Sequence, residues 1–517
     1  MTQFNKYAYQ GGDDQPTAVV RRDISAGVNN RQHASNLKEN QVASLLNADI
    51  GIPGLGNKRS GIALIEDLGN DAGTGALGFI PLGADNLMVV THGTTLETSS
   101  ALTVGGSSFT ARKADFTSGL QTGLIKTYES GEDDVLLISN GTDNVFRMNN
   151  SFSFQDLGDT NTSPPLTTVM HTYRDRVWAL KDELLYFSDA SAADYSAAFD
   201  RTNNAFRLPV GDEKAIIGIR DTGLFVIGEE QIWGLNPSIV PDPTTDKPEK
   251  ILEIGAAAGR SCVQVGDDIY FLAKDGIRGV KRTLQDKLQL GVSYPISYPL
   301  KDELATVNWE HAHKATGVWF DNMYLIALPV SGSSYNNAVW AFYPANNAWT
   351  VWDSWNVGDW AKITMSGEER LYYIDSDDGS VYRAFSGETD AGTAITYTEV
   401  GRKEDLGQPL KKKVAGELLV KCQASGSSNL DVQVSFDDGG FNSLGTMSLA
   451  GNLVTFPVTF PVNFSGGNIV YKKFHLDSYG AWYYAQIKLV HTGLDDLQIL
   501  ERTLVSYLEE YISEEEV

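Results

Sequence analysis

The sequence predicts an all-β protein: a β-propeller with an N-terminal extension and a C-terminal antiparallel β-sandwich-like domain. Three observations predict this fold. A hairpin unit recurs about every 40–50 residues. Apolar and polar residues do not alternate along the strands of this unit, whereas they alternate cleanly along the strands after residue 390. The composition agrees, because 50 glycines and 10% aromatic residues favour strands joined by many turns.

A chain of 517 residues is too long for one ordinary core, so several domains are expected. We assign residues 1–61 to the N-terminal extension, as a docking segment, and residues 62–390 to the propeller. Residues 391–508 are assigned to the sandwich-like domain. Residues 509–517 carry five glutamates and are expected to be a mobile acidic tail.

The repeated unit is clearest in residues 173–190, YRDRVWALKDELLYFSDA. Two apolar runs, residues 177–180 and residues 184–187, flank a three-residue turn, and neither run alternates. Strands that are apolar on both faces have to be covered on both faces. The inner strands of propeller blades meet this condition, because each blade packs between two neighbours. Six similar units have first runs centred near residues 90, 137, 225, 270, 324 and 373. The seven units predict about seven blades, with six or eight left open.

Other segments interrupt or flank the repeat. Residues 237–250 hold four prolines and predict a long polar loop, and residues 282–308 predict a turn followed by a short helix. Both fit a projection toward a partner and an ordinary surface loop equally well. A short helix is also expected near residues 37–46, from the spacing of Leu37, Val42, Leu45 and Leu46. The sandwich is predicted from alternation, as at Leu430, Val432, Val434 and Phe436.

Acidic residues outnumber basic ones by 66 to 41, which gives a net charge of -25. This argues against wrapping nucleic acid by neutralising phosphates. It is compatible with a passage through which DNA slides without adhering, and also with plain solubility. Cys262 and Cys422 form no disulfide framework, and the start of the chain does not read as a secretory signal. No apolar run is long enough to predict a membrane span, so synthesis in a cytoplasm is expected.

Motifs that carry chemistry are sparse. SDDGSVY (residues 376–382) and SFDDGGF (residues 435–441) resemble Asp-box turns, which order a hairpin and do not catalyse. A calcium site in DSDDG (residues 375–379) is the weaker reading, because a bidentate Glu is missing. His311 and His313 would share one face of a strand but have no third ligand nearby in sequence. We therefore expect no enzyme, and we assign no catalytic residue, no cofactor-binding residue, no metal ligand and no cofactor.

Residues 37–62, LKENQVASLLNADIGIPGLGNKRSGI, resemble the opening of tail nozzle and packaged-DNA stabilisation proteins of short-tailed bacteriophages. The shared line reads N-x-Q…L-x-N…K/R-R-x-G, here Asn40, Gln41, Leu46, Asn47, Lys58, Arg59 and Gly61. Residues 173–190 are similar to their recurrent blade, through Arg176, Trp178, Tyr186, Phe187, Ser188 and Asp189. Residues 255–280 are similar to another blade, through Phe271, Leu272, Asp275, Gly276 and Ile277. The resemblance also includes the end of the sandwich-like domain, at Leu504, Val505, Ser506 and Tyr507.

This resemblance implies a structural virion protein of the phage tail. Such β-propeller proteins assemble as a ring, with a hexamer as the expected copy number, below the portal and the tail adaptor protein and in contact with tail fibres or a needle. The ring would continue the channel for double-stranded DNA, retain the packaged genome without sequence specificity and allow its ejection. We further hypothesise that acidic side chains line the inside of the ring and that Lys and Arg lie at subunit contacts.

The alternative is a propeller-type carbohydrate-binding protein or glycoside hydrolase acting on host-surface polysaccharide. Paired carboxylates in a propeller mouth would support it, with Trp349, Trp352 and Trp355 stacked nearby. These tryptophans are also typical of core packing at blade edges, which leaves the alternative open.

Overall fold

The computed structural model describes residues 16–51, 56–69, 71–79, 86–106, 108–130, 134–220, 222–450 and 468–508. The acidic tail, residues 509–517, lies outside the described residues. The chain divides into two compact units. The propeller unit comprises Ser60–Gly392, and the sandwich unit comprises Met1–Arg59 together with Thr393–Val517.

The propeller unit contains, in its described part, five separate four-stranded antiparallel sheets, one three-stranded sheet, and one run of four antiparallel strands that belongs to a larger sheet. Blade 1 consists of Gly73–Phe79, Leu87–His92, Thr95–Ser99 and Thr110–Lys113. Blade 2 consists of Gly123–Tyr128, Asp134–Ser139, Phe146–Met148 and Phe154–Asp156. Blade 3 consists of Met170–Tyr173, Arg176–Lys181, Leu184–Phe187 and Ala205–Arg207. Blade 4 consists of Glu213–Ile219, Gly223–Gly228, Ile232–Leu235 and Glu249–Leu252.

The remaining blades complete the circle. Blade 5 has three strands, Val263–Val265, Asp268–Ala273 and Gly276–Gly279. Blade 6 consists of Thr316–Phe320, Met323–Leu328, Ala338–Tyr343 and Ala348–Asp353. Blade 7 consists of Val357–Met365, Glu368–Asp375, Val381–Arg383 and Ala63–Glu66. The inner strand of each blade contacts the inner strand of the next, and blade 7 contacts blade 1. The propeller prediction is confirmed, and each of the seven runs found in the sequence is the second strand of its blade.

The ring is closed by the start of the propeller unit. Ala63–Glu66 comes before blade 1 in sequence yet forms the outer strand of blade 7, where Glu66 pairs with Val381. Gly61 lies beside this closure, and its N–H donates to the Gly387 carbonyl at 2.7 Å. An added Cβ at Gly61 would lie 1.9 Å from the Thr389 carbonyl oxygen, so a side chain at this position would displace the backbone.

Packing between blades explains why the strands do not alternate. In Arg176–Lys181, Val177 and Ala179 join a cluster with Val135 and Leu137 of blade 2. Trp178 and Leu180 of the same strand join a cluster with Ile216, Leu224 and Val226 of blade 4. Successive side chains of one strand point to opposite faces, so each face is buried against a different blade.

Two helices follow blade 5. Helix α1, Val280–Leu290, continues directly from its last strand, and α2, Lys301–Thr306, precedes blade 6. The predicted turn and short helix are confirmed by the hydrogen bond from Tyr298 N–H to the Pro295 carbonyl and by α2. Helix α1 was not predicted. No helix in the described residues is long and apolar enough to cross a membrane.

The described part of the sandwich unit contributes strands to two antiparallel sheets. In one, the strand order is Ala48–Asp49, Gly56–Lys58, Leu497–Leu508, Lys413–Ala424 and Asn468–His475, and Thr17–Arg21 also pairs with Leu497–Leu508. In the other, the order is Ser44–Leu46, Thr393–Glu404, Ala485–Gly493, Asn429–Phe436 and Asn442–Ser448. A shared core joins Val434 and Ala485 of one sheet to Leu504 of the other.

The helix expected at residues 37–46 is wrong. The structure has a short 3-10 turn, Ala34–Asn36, and then the strand Ser44–Leu46. An isolated helix of this length is marginal in water. Instead, strand pairing of Leu45 with Glu399 satisfies the hydrogen-bonding groups of the backbone, and the Leu45 side chain is buried in this extended conformation. The N-terminal segment thus supplies strands to both sheets of the sandwich unit.

Candidate functional site

The centre of the propeller is crossed by Arg260. This residue lies in a 3-10 turn, Gly259–Ser261, just before blade 5. Its Nη2 donates to the carbonyl oxygens of Thr74 and Thr122, at 2.7 Å and 2.6 Å, on the blade 1 and blade 2 side. The guanidinium therefore links blade 5 to blades on the other side of the ring.

Asp359, on the inner strand of blade 7, faces the same guanidinium at 3.5 Å. Its Oδ2 accepts the backbone N–H of Ala76 at 3.0 Å, and its Oδ1 accepts the Thr316 hydroxyl at 3.2 Å. Both charged side chains are about four-fifths buried. Since their bonds reach blades 1, 2, 6 and 7, the pair closes the centre of the propeller by joining blades on opposite sides of the ring.

A groove opens on one side of this closure. Next to Arg260 it begins as a cavity of about 450 Å³, lined in part by Gln121, Thr168, Glu213, Lys214, Cys262 and His313. A second cavity, of about 410 Å³, shares Asp212, Lys214 and His313 with the first. A third, of about 460 Å³, shares Glu229 and Lys274 with the second. We name this run of cavities the mouth groove, defined by Asp212, Lys214, Glu229, Lys274, Trp309 and His313.

The ions of the mouth groove are paired. Lys214 Nζ lies 2.5 Å from Asp212 Oδ2, and Lys274 Nζ lies 2.8 Å from Glu229 Oε1. The hydrogen bond with Glu229 raises the pKa of Lys274. Burial lowers the pKa of His313, which keeps its imidazole neutral at pH 7. Paired ions and a neutral imidazole suit contacts with a polar ligand.

The Cys262 thiol also lines the groove. Burial raises its pKa to about 12, so it is not a thiolate at neutral pH. The thiolate is the nucleophilic form of cysteine. The site therefore lacks an activated sulfur at this position.

Trp309 is the aromatic side chain of the groove, and it is 41% exposed. An exposed indole beside paired polar groups offers an apolar face together with hydrogen-bonding partners. Sequence reasoning missed this residue and singled out Trp349, Trp352 and Trp355 instead. Those three are at most 1% exposed.

The three buried tryptophans serve the core. Trp349 Nε1 donates to the Ile296 carbonyl at 3.0 Å, and Trp355 Nε1 donates to Asp390 at 3.2 Å. Trp352 meets Trp355 edge to face, with ring centroids 5.2 Å apart. Side chains buried in this way are not a stacking platform for a sugar, so the core-packing reading of these residues is confirmed.

His311 and His313 do not lie on a strand, so that expectation is wrong. His311 precedes the 3-10 turn Ala312–Lys314, which contains His313, and their ring centroids are 6.3 Å apart. Within the described residues, no group of three or more His, Cys, Asp or Glu is placed to hold a metal ion. The expectation that these histidines bind no metal remains a prediction.

Both Asp-box stretches form turns, as predicted. Asp375 accepts the N–H groups of Asp377 and Asp378 at 2.7 Å and 3.3 Å, and Gly379 has φ of 75°. Asp437 accepts the N–H groups of Tyr483 and Tyr484. Burial raises the pKa of Asp375 to about 7.

In the sandwich unit, Asn47, Lys58 and Arg59 form a buried polar joint. Arg59 is 1% exposed, and its Nε donates to Asn47 Oδ1 at 2.9 Å. Asn47 Nδ2 donates in turn to the Thr396 carbonyl at 2.8 Å. Lys58 Nζ donates to the carbonyls of Gly493 and Asp495. In blade 3, Arg176 also makes a structural contact, because its Nη1 donates to the Ser188 carbonyl at 2.6 Å.

Comparisons with known proteins add little. No family model matches the chain, and no curated protein matches it. Among solved structures, the AfRom2 CNH domain has a TM-score of 0.36 at 9% identity, covering 62% of this chain and 98% of that domain. PorZ, a surface component of the type-IX secretion system of Porphyromonas gingivalis, has a TM-score of 0.36 at 12% identity, covering 75% of this chain and 46% of PorZ. Likenesses at this level carry no argument about function.

Proposed function

We propose that this chain is the repeating subunit of a nozzle or plug ring in the tail of a short-tailed phage. The ring continues the DNA channel below the portal and adaptor, retains the packaged genome and allows its ejection. Its work is mechanical and needs no catalytic residue.

The observation that carries the proposal is the buried joint of Asn47 and Arg59. Both residues belong to the line through which the chain resembles tail nozzle proteins. A buried Arg is costly unless its donors are satisfied. The joint gives these two positions a reason to hold these residue types, so the resemblance falls on residues that build the sandwich unit.

The closed propeller centre supports the same function. Arg260 and Asp359 fill the axis, so DNA does not have a path through one subunit. A channel in an assembly of such subunits has to lie between them. That arrangement matches a ring whose members enclose the genome with their outer surfaces.

The net charge of -25 also fits a wall past which DNA slides. Acidic walls release no condensed counterions from DNA and therefore gain no affinity for it. Weak adhesion lets the genome leave quickly.

The test is the mass of the full chain in solution. A single subunit has a mass of 56.4 kDa. We expect light scattering to give a several-fold multiple and electron microscopy to show rings with an open centre. A chain that stays at the mass of one subunit at all concentrations, or that binds duplex DNA tightly at physiological salt, would contradict the proposal.

A second candidate function, carbohydrate binding, is favoured by Trp309 alone. Its exposed face in the mouth groove is the feature that a sugar ring requires. Calorimetric titration with host-surface polysaccharides would test it. Trp309→Ala is expected to abolish any binding that Trp309→Phe retains, because phenylalanine keeps an aromatic face. Equal polysaccharide binding by both variants would exclude the mouth groove as the carbohydrate-binding site.

A further inference from the structure

One strand of the sandwich unit runs directly into the acidic tail. The strand Leu497–Leu508 pairs with Lys413–Ala424, and its last pair joins Leu508 to Lys413. The tail, residues 509–517, follows Leu508 and lies outside the described residues. On the partner strand, Lys413 is preceded by residues 410–412, which we name the lysine loop. The tail therefore starts beside the lysine loop.

The backbone of Lys413 shows which way the lysine loop faces. Its N–H donates to the Trp482 carbonyl at 2.7 Å, and its carbonyl accepts the Trp482 N–H at 3.0 Å. Successive residues of an antiparallel strand turn their N–H and C=O groups to opposite sides. Lys412 therefore presents its N–H and C=O on the other side, where Leu508 lies and from which the tail continues.

The lysine loop consists of Leu410, Lys411 and Lys412, and all three side chains are exposed. Leu410 is 80% exposed. Neither lysine makes an ion pair with a described residue, and Lys412 Nζ lies 5.7 Å from the centre of the Tyr483 ring. Charge complementarity favours a partner that carries acids together with some apolar area.

The acids near the lysine loop already have other partners. Asp405 accepts a backbone N–H of its own turn at 2.9 Å. Asp437 accepts the backbone N–H of Tyr483 at 2.9 Å, and Asp438 pairs with Lys403 at 2.5 Å. These carboxylates offset part of the local positive charge, but none of them forms an ion pair with the lysine loop. The two exposed lysines are thus available to a further acidic segment.

We propose that the first residues of the tail extend the strand Leu497–Leu508 and dock on the lysine loop of the same subunit. The last two pairs, Val414 with Tyr507 and Lys413 with Leu508, set the register. Continuing this register places Glu509 opposite Lys412, Glu510 opposite Lys411 and Tyr511 opposite Leu410. Directly opposed residues of an antiparallel pair interact, and opposite charges there stabilise the sheet.

The docked part is short. The N–H of Lys411 donates to the Gln408 carbonyl at 3.2 Å, so the partner strand bends away at this point. The contact forms within one chain, because Leu508 holds the tail next to the lysine loop and a short tether gives a high local concentration. The tail is therefore an added length of sheet at its first residues, and the proposal holds with or without a ring.

The first test is zero-length cross-linking of the full chain with a carbodiimide, which joins a lysine amine to a carboxylate. We expect mass spectrometry to find Lys411 or Lys412 joined to Glu509 or Glu510. A mixture of isotopically labelled and unlabelled chains separates links within one chain from links between chains. Links only between chains would assign the tail to a second copy and overturn the proposal, and so would the absence of any link to these lysines.

The second test measures amide hydrogen exchange at residues 509–511 in the full chain. We expect slower exchange there than in a synthetic peptide of the tail sequence. Lys411→Glu with Lys412→Glu should speed it about fivefold or more, since two attractive cross-strand pairs become repulsive. Both lysines are exposed, so the circular dichroism and the melting temperature of this variant should stay unchanged.

Matched charge changes test the register. Glu509→Lys with Glu510→Lys should speed exchange in the same way, and adding Lys411→Glu with Lys412→Glu should restore protection. Glu514→Lys with Glu515→Lys alters the net charge by the same amount but lies beyond the docked part, so it should leave exchange unchanged.

Each outcome decides the proposal. Exchange at the rate of the free peptide in the unaltered chain would overturn it. An equal effect of the Glu514 and Glu515 control would trace the effect to net charge and overturn the register, as would failure of the combined variant to recover protection. Light scattering on the same samples keeps the two proposals apart, because a docked tail in a chain of one-subunit mass leaves this inference standing while the ring fails.

Discussion

Arg59 donates from Nε to Asn47 Oδ1 at 2.9 Å inside the sandwich unit, and the Arg59 N–H also donates to the Asn47 carbonyl at 2.9 Å. Asn47 has φ of 55°, a left-handed conformation that Asn tolerates better than most residues. Two neighbouring strands, Ala48–Asp49 and Gly56–Lys58, are thus joined at their ends by side chain and backbone together.

Replacing Asn47 tests this joint. Asn47→Ala removes an acceptor from a buried guanidinium and is expected to lower the free energy of unfolding by about 1–3 kcal/mol. Glycine adopts the left-handed conformation of residue 47 without strain, so Asn47→Gly measures the loss of the side-chain amide alone. Asn442→Ala, at an exposed position of the same unit, should change stability by less than about 0.5 kcal/mol. Equal effects of Asn47→Ala and Asn442→Ala in chemical denaturation would contradict the role assigned to Asn47.

Arg260 offers a test of the closed propeller centre. Arg260→Met leaves the Asp359 carboxylate without its cation and removes one donor from each of the Thr74 and Thr122 carbonyls. We expect a loss of about 1–3 kcal/mol. Adding Asp359→Asn should recover part of the lost stability, because an unpaired, partly buried carboxylate destabilises the folded state more than a neutral amide does. A double variant no more stable than Arg260→Met would show that the two side chains are not energetically coupled.

The fold was largely predictable, and the exceptions have physical reasons. Strands such as Arg176–Lys181 were found because burial on both faces leaves a continuous apolar run. The N-terminal strands were missed because Ser44 pairs with Val400, far away in sequence, and no local pattern reports a distant partner. Helix α1 was missed because it follows the strand Gly276–Gly279 directly and has no side-chain cap to mark its start. Arg260 was missed because nothing in GAAAGRSC indicates that this side chain spans the ring.

Asp375 predicts how stability depends on pH. Its folded pKa of about 7 lies above the ordinary value of 3.8, since burial disfavours the carboxylate. Between these values the folded chain binds more protons than the unfolded chain, so stability falls as pH rises. The slope is at most about 1.4 kcal/mol per pH unit for one group. Asp375→Asn should remove this contribution, so the variant should gain stability relative to the unaltered chain from pH 5 to pH 7. The raised pKa of Asp375 would be refuted if the difference in free energy of unfolding between the variant and the unaltered chain, measured by denaturation, stayed constant from pH 5 to pH 7.

His311 and His313 are predicted to bind no metal. Their rings are 6.3 Å apart and lack a third ligand among the described residues. His311→Ala and His313→Ala should therefore leave the metal content of the purified chain unchanged, as measured by elemental mass spectrometry. Zinc at one equivalent per chain, lost in either variant, would overturn this prediction.

The last prediction concerns where the negative charge acts. Removing Glu509, Glu510, Glu514, Glu515 and Glu516 with the tail changes the net charge only from -25 to -20. At physiological salt the Debye length is about 8 Å, so charges on an outer wall are barely felt at a channel axis. In the proposed ring, only acids that face the channel would act on the genome. A chain truncated after Leu508 should therefore assemble and ignore duplex DNA as the full chain does, in fluorescence anisotropy at about 0.15 M salt. Neutralising the acids on the inner wall of the assembled ring should create DNA binding that weakens as salt rises. A neutral or basic inner wall would refute the prediction, and so would a truncation that alone altered DNA affinity.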